Sequence, residues 1–128
     1  MRYLIFCMCL IVGGFYVSSK VEAHEMTPAY PELTTSYMSG VRQVDLILFN
    51  RRADVQYYEI SVWDKEWRSV PFAAKDRILK INYLDRKAFT VYIRDRDIRR
   101  VGYICTRSKL LKGGGPSRVS SKICSKIK

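Results

Sequence analysis

The chain has 128 residues, a formal net charge of +11 and four cysteines, and 48% of its residues are hydrophobic. That length suits one folded unit with a modest core and excludes two independent domains. A surface this basic attracts anionic partners, and a single histidine, His24, argues against Ser/His/Asp or Cys/His catalysis.

The chain opens with Met1 and Arg2, runs through an apolar stretch over residues 3–17, and relaxes into Ser18, Ser19 and Lys20. This is the order of a cleavable signal peptide. Val21, Glu22 and Ala23 place modest side chains before the cut, so cleavage is expected after Ala23, with the mature chain starting at His24. An uncleaved membrane anchor is the alternative. A bilayer span needs about 20 apolar residues, whereas this stretch is shorter and carries Gly13 and Gly14. Processing removes Cys7 and Cys9 and leaves 105 residues of net charge about +10, with no transmembrane segment and a periplasmic or secreted destination.

Pro28 and Pro31 remove backbone donors after Thr27 and suit a broken edge strand before a loop at Ser39 and Gly40. Val44, Leu46 and Leu48 then alternate with Asp45, Ile47 and Phe49, the period of two of a strand with one face toward a core. Asn50, Arg51 and Arg52 end it. Over residues 57–63 Tyr58, Ile60 and Val62 face one way, with Tyr57, Glu59, Ser61 and Trp63 opposite. Residues 64–69 read as a turn, Val70, Pro71 and Phe72 as a cover for one end of the fold, and residues 78–83 as a short strand. Phe89, Val91 and Ile93 point inward from a strand over residues 88–94. Residues 95–100 form a charged, solvated loop before Val101, Tyr103 and Cys105, and a last strand spans residues 119–127 after Gly113, Gly114, Gly115 and Pro116.

Six or seven short strands without an amphipathic helix predict an all-β protein, an immunoglobulin-like β-sandwich of about seven strands over residues 24–112. Residues 113–128 follow as a Gly-rich linker and a basic strand or tail. The two cysteines of the mature chain, Cys105 and Cys124, are expected to pair in an oxidising compartment, the alternative being two free thiols.

Leu48, Phe49, Asn50 and Arg51 followed by Asp54, the strand ending at residues 62–64, and Val70, Pro71 and Phe72 together resemble the N-terminal immunoglobulin-like domain of periplasmic pilus-assembly chaperones. The resemblance covers roughly residues 27–111, as pattern more than as fixed motif. It implies β-augmentation: an exposed edge supplies main-chain hydrogen bonds and alternating side chains fill gaps in a client's core. In that family a final strand lends itself to a subunit lacking one. Two features depart from it. Pilus chaperones have two such domains and grip the client's carboxylate between them. The arginine of their early strand has no counterpart, because residues 27–40 contain no Lys or Arg.

At the mature N-terminus His24 is a candidate metal ligand, its amine and imidazole chelating copper, but no second histidine completes the set unless Met26 contributes. No other cofactor is expected. Asp95 and Asp97 lie among Arg94, Arg96, Arg99 and Arg100 and read as salt-bridged, solvated charge rather than a paired acid and base. From Arg107 to the end the chain has seven cations and no acid, so it should sense a nearby anionic surface; the plainer reading is a solvated tail. That tail has no aromatic residue for stacking, so nucleic acid is not expected. Tyr57, Trp63, Trp67 and Tyr92, with Lys109 and Lys112, are the candidate partner-binding residues, because Trp and Tyr are enriched where binding energy concentrates.

The expectation is therefore an exported, non-enzymatic binding module that engages a protein partner, such as a pilus or fibre subunit, through a strand edge. A structural subunit of an extracellular or virion assembly, and a secreted cationic envelope-binding factor, are the alternatives.

Overall fold

The computed structural model describes residues 23–109 and 120–128. The predicted signal segment before Ala23, and Lys112, the three consecutive glycines, Pro116 and Val119, lie outside the described residues.

The protein is all-β, built from two antiparallel sheets. In the first, β3 (Val41–Phe49) is central: β6 (Arg86–Arg94) pairs along its whole length on one side, and β1 (Glu25–Thr27) and β2 (Thr34–Thr35) share the other. In the second the order is β5 (Ile78–Lys80), β4 (Tyr57–Asp64), β7 (Val101–Lys109), β8 (Lys122–Lys126). The period-two pattern explains the layering. Val44, Leu46 and Leu48 of β3 and Phe89, Val91 and Ile93 of β6 meet Tyr58, Ile60 and Val62 of β4 and Ile104 of β7 in one core. Burying a side chain of this size contributes about 2 kcal/mol, so these ten alone outweigh any surface interaction in the molecule.

Between β1 and β2, which share the first sheet, the chain runs along the β8 edge of the second. Ala29 and Pro31 accept hydrogen bonds from the Lys126 and Lys128 amides at 2.9 and 3.2 Å, and Pro28 accepts from the Ser125 hydroxyl. The interrupted edge expected from Pro28 and Pro31 thus closes the lower part of the β8 edge.

Three expectations need correction. The strand expected over residues 78–83 ends at Lys80, because the chain turns at Tyr83 and Leu84, where Leu84 takes a φ of 63° and donates its amide to Asn50. The last described strand is Lys122–Lys126 rather than residues 119–127. The segment expected to be solvated charge contains a 3₁₀ turn, Asp95–Asp97, in which Asp97 is buried between the guanidinium groups of Arg94 and Arg100, at 3.3 and 3.8 Å.

Candidate functional site

The first candidate is the outer edge of β6. Tyr92 exchanges both backbone hydrogen bonds with Ala73, at 2.8 and 2.9 Å, so its amide and carbonyl point away from β3. Backbone direction alternates along a strand, so the N–H and C=O groups of Thr90 and Ala88 point the same way. Among the described residues Ala73 is the one backbone partner on that edge, and from Arg86 to Thr90 the edge is open. A groove of about 800 Å³ runs alongside it. Its lining includes Ala74, Leu79, Ala88 and Phe89, with Ile47 and Tyr92 on the outer side of the sheet and Lys75, Asp76 and Lys87 at the rim. An edge with free main-chain groups beside an apolar groove is the arrangement that accepts another strand.

The second candidate is the outer face of the other sheet, and four of the sequence-predicted residues share it. Tyr57 and Trp63 stand on the outward side of β4, opposite Lys109 and Tyr103 of β7. Lys109 pairs with Glu59 at 2.8 Å. Trp67, in the turn after β4, lies flat on Tyr103 with ring centres 4.3 Å apart and planes 6° from parallel. The Lys122 ammonium sits 4.7 Å from the centre of the Trp63 ring and 5.0 Å from that of Trp67. Tyr92 is not part of this surface; it lies on the first sheet, edge-to-face with Tyr37.

Trp67 is held by its turn. Its φ is 62°, in the left-handed region that a bulky side chain rarely adopts. The Asp64 carboxylate fixes that turn by accepting from the amides of Glu66 and Arg68, at 2.9 and 2.8 Å, and from the Arg68 guanidinium at 3.1 Å. The Arg68 amide, foremost among these donors, holds the Asp64 carboxyl below its ordinary pKa.

The Cys105–Cys124 disulfide lies on this same face, between the Trp63–Tyr103 and Glu59–Arg107 rows, and joins β7 to β8. Its half-cystine at Cys105 is fully buried.

His24 is buried in the interior. Its Nε2 lies 2.9 Å from Thr106 Oγ1 and 3.2 Å from the Thr106 carbonyl, and Nδ1 lies 3.1 Å from Ser121 Oγ. A carbonyl can only accept, so the proton belongs on Nε2 and Nδ1 is left as the acceptor. Burial first, and the nearby Arg52 guanidinium as well, push the imidazole pKa down to about 4, against the hydrogen bond to Thr106. Arg52 is held in turn by Asp54, at 3.0 and 2.7 Å, and reaches Ser108 and Ser121 at 3.4 Å. Both imidazole nitrogens are engaged within the fold. Among the described residues no group of three or more His, Cys, Asp or Glu side chains is placed to hold a metal ion.

Next to this cluster Asn50 ties the core's end together. Its amide donates to the carbonyls of Val55 and Ile81, at 2.8 and 2.9 Å, and its oxygen accepts from the Arg52 amide and the Tyr58 hydroxyl. Burial pushes the Tyr58 phenol up to about 12, so it stays a donor.

Reading by composition missed Tyr103, Lys122 and the open edge at Ala88 and Thr90. Tyr103 alternates with core residues in a strand already recognised, so its outward side was available; the edge depends on which strands pair and carries no local signal. Among the described residues no helix is long and apolar enough to cross a membrane. Comparison with protein-family models and with curated proteins returns no match for this chain.

Proposed function

We propose that the chain is an exported, non-enzymatic binding module with an immunoglobulin-like β-sandwich, which receives an extended strand of a protein partner along β6. The observation that carries this reading is the unpaired backbone of Ala88 and Thr90 beside the groove lined by Ala74, Leu79 and Phe89. Main-chain hydrogen bonds to those groups supply affinity, and alternate apolar side chains of the partner entering the groove supply selectivity. Export is supported by the order of charge, apolar stretch and small residues over residues 1–23, and by a cysteine pair that oxidising surroundings favour.

The resemblance to pilus chaperones points to their last strand as the donor. In this chain Ala29 and Pro31 occupy part of the β8 edge, which leaves β6 as the longer open edge among the described residues. The proposed activity is therefore chaperone-like in mechanism, on a different strand.

Selection of short peptides from a display library on the purified chain tests this. Enriched peptides should alternate apolar residues, and their binding should slow hydrogen exchange at the amides of Ala88 and Thr90. Ala88→Lys, which adds a charge on the open edge and spares the ladder to β3, should abolish binding while leaving the melting temperature unchanged. Selected peptides that protect no β6 amide would sink the reading. A ladder of self-oligomers on sizing, lost in the same variant, would replace it with a structural subunit.

A further inference from the structure

We propose that the outer face of the β4–β7–β8 sheet is a second binding surface, independent of the β6 edge, and that its ligand is an acidic polysaccharide. A sugar ring stacks on Trp67, and the carboxylate, sulfate or phosphate groups of the chain lie along Arg107, Lys122 and Lys126.

Three observations converge on it. Arg107 and Lys122 are direct cross-strand partners, two cations side by side on the exposed face. Like charges in that register destabilise a sheet, and the acid opposite Arg107 on β4, Glu59, is engaged by Lys109 at 2.8 Å. An anion bound between them removes that repulsion. Lys126 continues the row opposite Tyr103, so charge and ring lie at neighbouring positions of one face.

The ring itself is presented at a cost. A tryptophan in the left-handed region is strained, and such strain persists only where the surroundings impose it. Here three hydrogen bonds to Asp64 impose it, and the indole they display is 49% exposed. Tyr103 backs one side of the indole. An indole offers a flat apolar face that matches the C–H face of a pyranose, and the Lys and Arg groups beside it provide the polar contacts that fix a ligand's position.

Single-stranded nucleic acid is the competing polyanion, and the geometry favours it less. Its recognition stacks successive bases on a series of open rings. On this face Tyr103 backs Trp67 and one Lys122 ammonium lies over both Trp63 and Trp67, so the rings form a compact cluster around a cation rather than an open series.

The test uses the full chain with its disulfide formed, titrated with polygalacturonate oligomers while tryptophan fluorescence is followed. Neutral dextran and oligothymidylate are the comparison ligands. Saturable quenching by polygalacturonate, little response to dextran and weakening with added salt are expected. Trp67→Ala should weaken binding about tenfold. Arg107→Ser, an exposed change that removes one cation of the facing pair, should weaken it several-fold and raise the melting temperature slightly. The Ala88→Lys variant should bind polygalacturonate normally, which separates this surface from the β6 edge. Absence of saturable binding overturns the proposal, as does equal or tighter binding of oligothymidylate. Affinity unchanged in a folded Trp67→Ala chain also overturns it, because charge alone then accounts for the binding.

Discussion

The imidazole of His24 and the hydroxyl of Thr106 meet at 2.9 Å across 82 positions of sequence, which fastens the start of the described chain to the middle of β7. The bond lies in the interior and Nε2 donates it, while the imidazole is held neutral by its burial, with Nδ1 left as an acceptor on the side that faces Ser121 and the Arg52 guanidinium.

That neutrality sets a pH dependence. The folded pKa of about 4 is below the ordinary 6.5, so between those values the unfolded chain binds a proton that the folded chain refuses. Stability is therefore full above about pH 6.5 and declines as the pH falls toward 4, by on the order of 3 kcal/mol in total. Urea midpoints measured across this window should fall for the wild-type chain and fall less for His24→Gln. Parallel curves for the two would show that His24 is not the titrating group.

Asn50 has four hydrogen-bonding partners, and none of them reaches water easily. Asn50→Ala leaves two buried carbonyls, a buried phenol and a backbone amide without partners, and should cost about 3 to 5 kcal/mol in urea unfolding. Asn50→Asp should also destabilise, because a carboxylate oxygen then faces the two carbonyls, and it should recover in part as the pH falls. A loss under about 1 kcal/mol in the alanine variant would mean that water replaces the amide.

The core faces were legible because each of β3, β4 and β6 has one wet side. Val44, Leu46 and Leu48, or Phe89, Val91 and Ile93, stand out only against the polar residues between them. The turn over residues 64–69 was legible too, although the conformation of Trp67 was not, since it depends on the Asp64 carboxylate folding back over its own turn. Asp97 was read as solvated because its neighbours are charged; it is buried because two of those neighbours, Arg94 and Arg100, enclose it. The residues 86–90 would read alike in a central or an edge strand, so the open edge is a property of topology. The grouping of Trp63, Trp67 and Lys122 likewise required the register of β8, which is pinned by its disulfide.

That disulfide closes a loop with a sequence separation of 19 residues. The chain-entropy relation assigns such a loop about 3 kcal/mol. Cys105→Ser with Cys124→Ser should lower the thermal midpoint accordingly, and reduction of the wild-type chain should do the same. The double variant should also show weaker cation–π quenching of tryptophan fluorescence, because β8 places Lys122 over the two indoles. A midpoint unaffected by reduction would show that the hydrogen bonds of β8 to β7 and to Pro28, Ala29 and Pro31 hold the strand without it.

Leu84 and Trp67 share a left-handed backbone, with φ of 63° and 62°, and differ in what the side chain contributes. Leu84 is 56% exposed, so its side chain buries little. A left-handed conformation costs an L-residue roughly 1 to 2 kcal/mol, which glycine avoids while losing somewhat more entropy on folding. Leu84→Gly should therefore stabilise the chain by about 1 kcal/mol, whereas Leu84→Ala, with its Cβ retained, should not. Trp67→Gly relieves the same backbone but removes the stack on Tyr103, worth about 0.5 to 1.5 kcal/mol, and the contact with Lys122. It should give no gain. Equal stabilisation by the two glycine variants in thermal unfolding would show that the stack contributes nothing to the fold. A gain confined to Leu84→Gly would show that Trp67 offsets its own strain by the contacts it makes on the sheet.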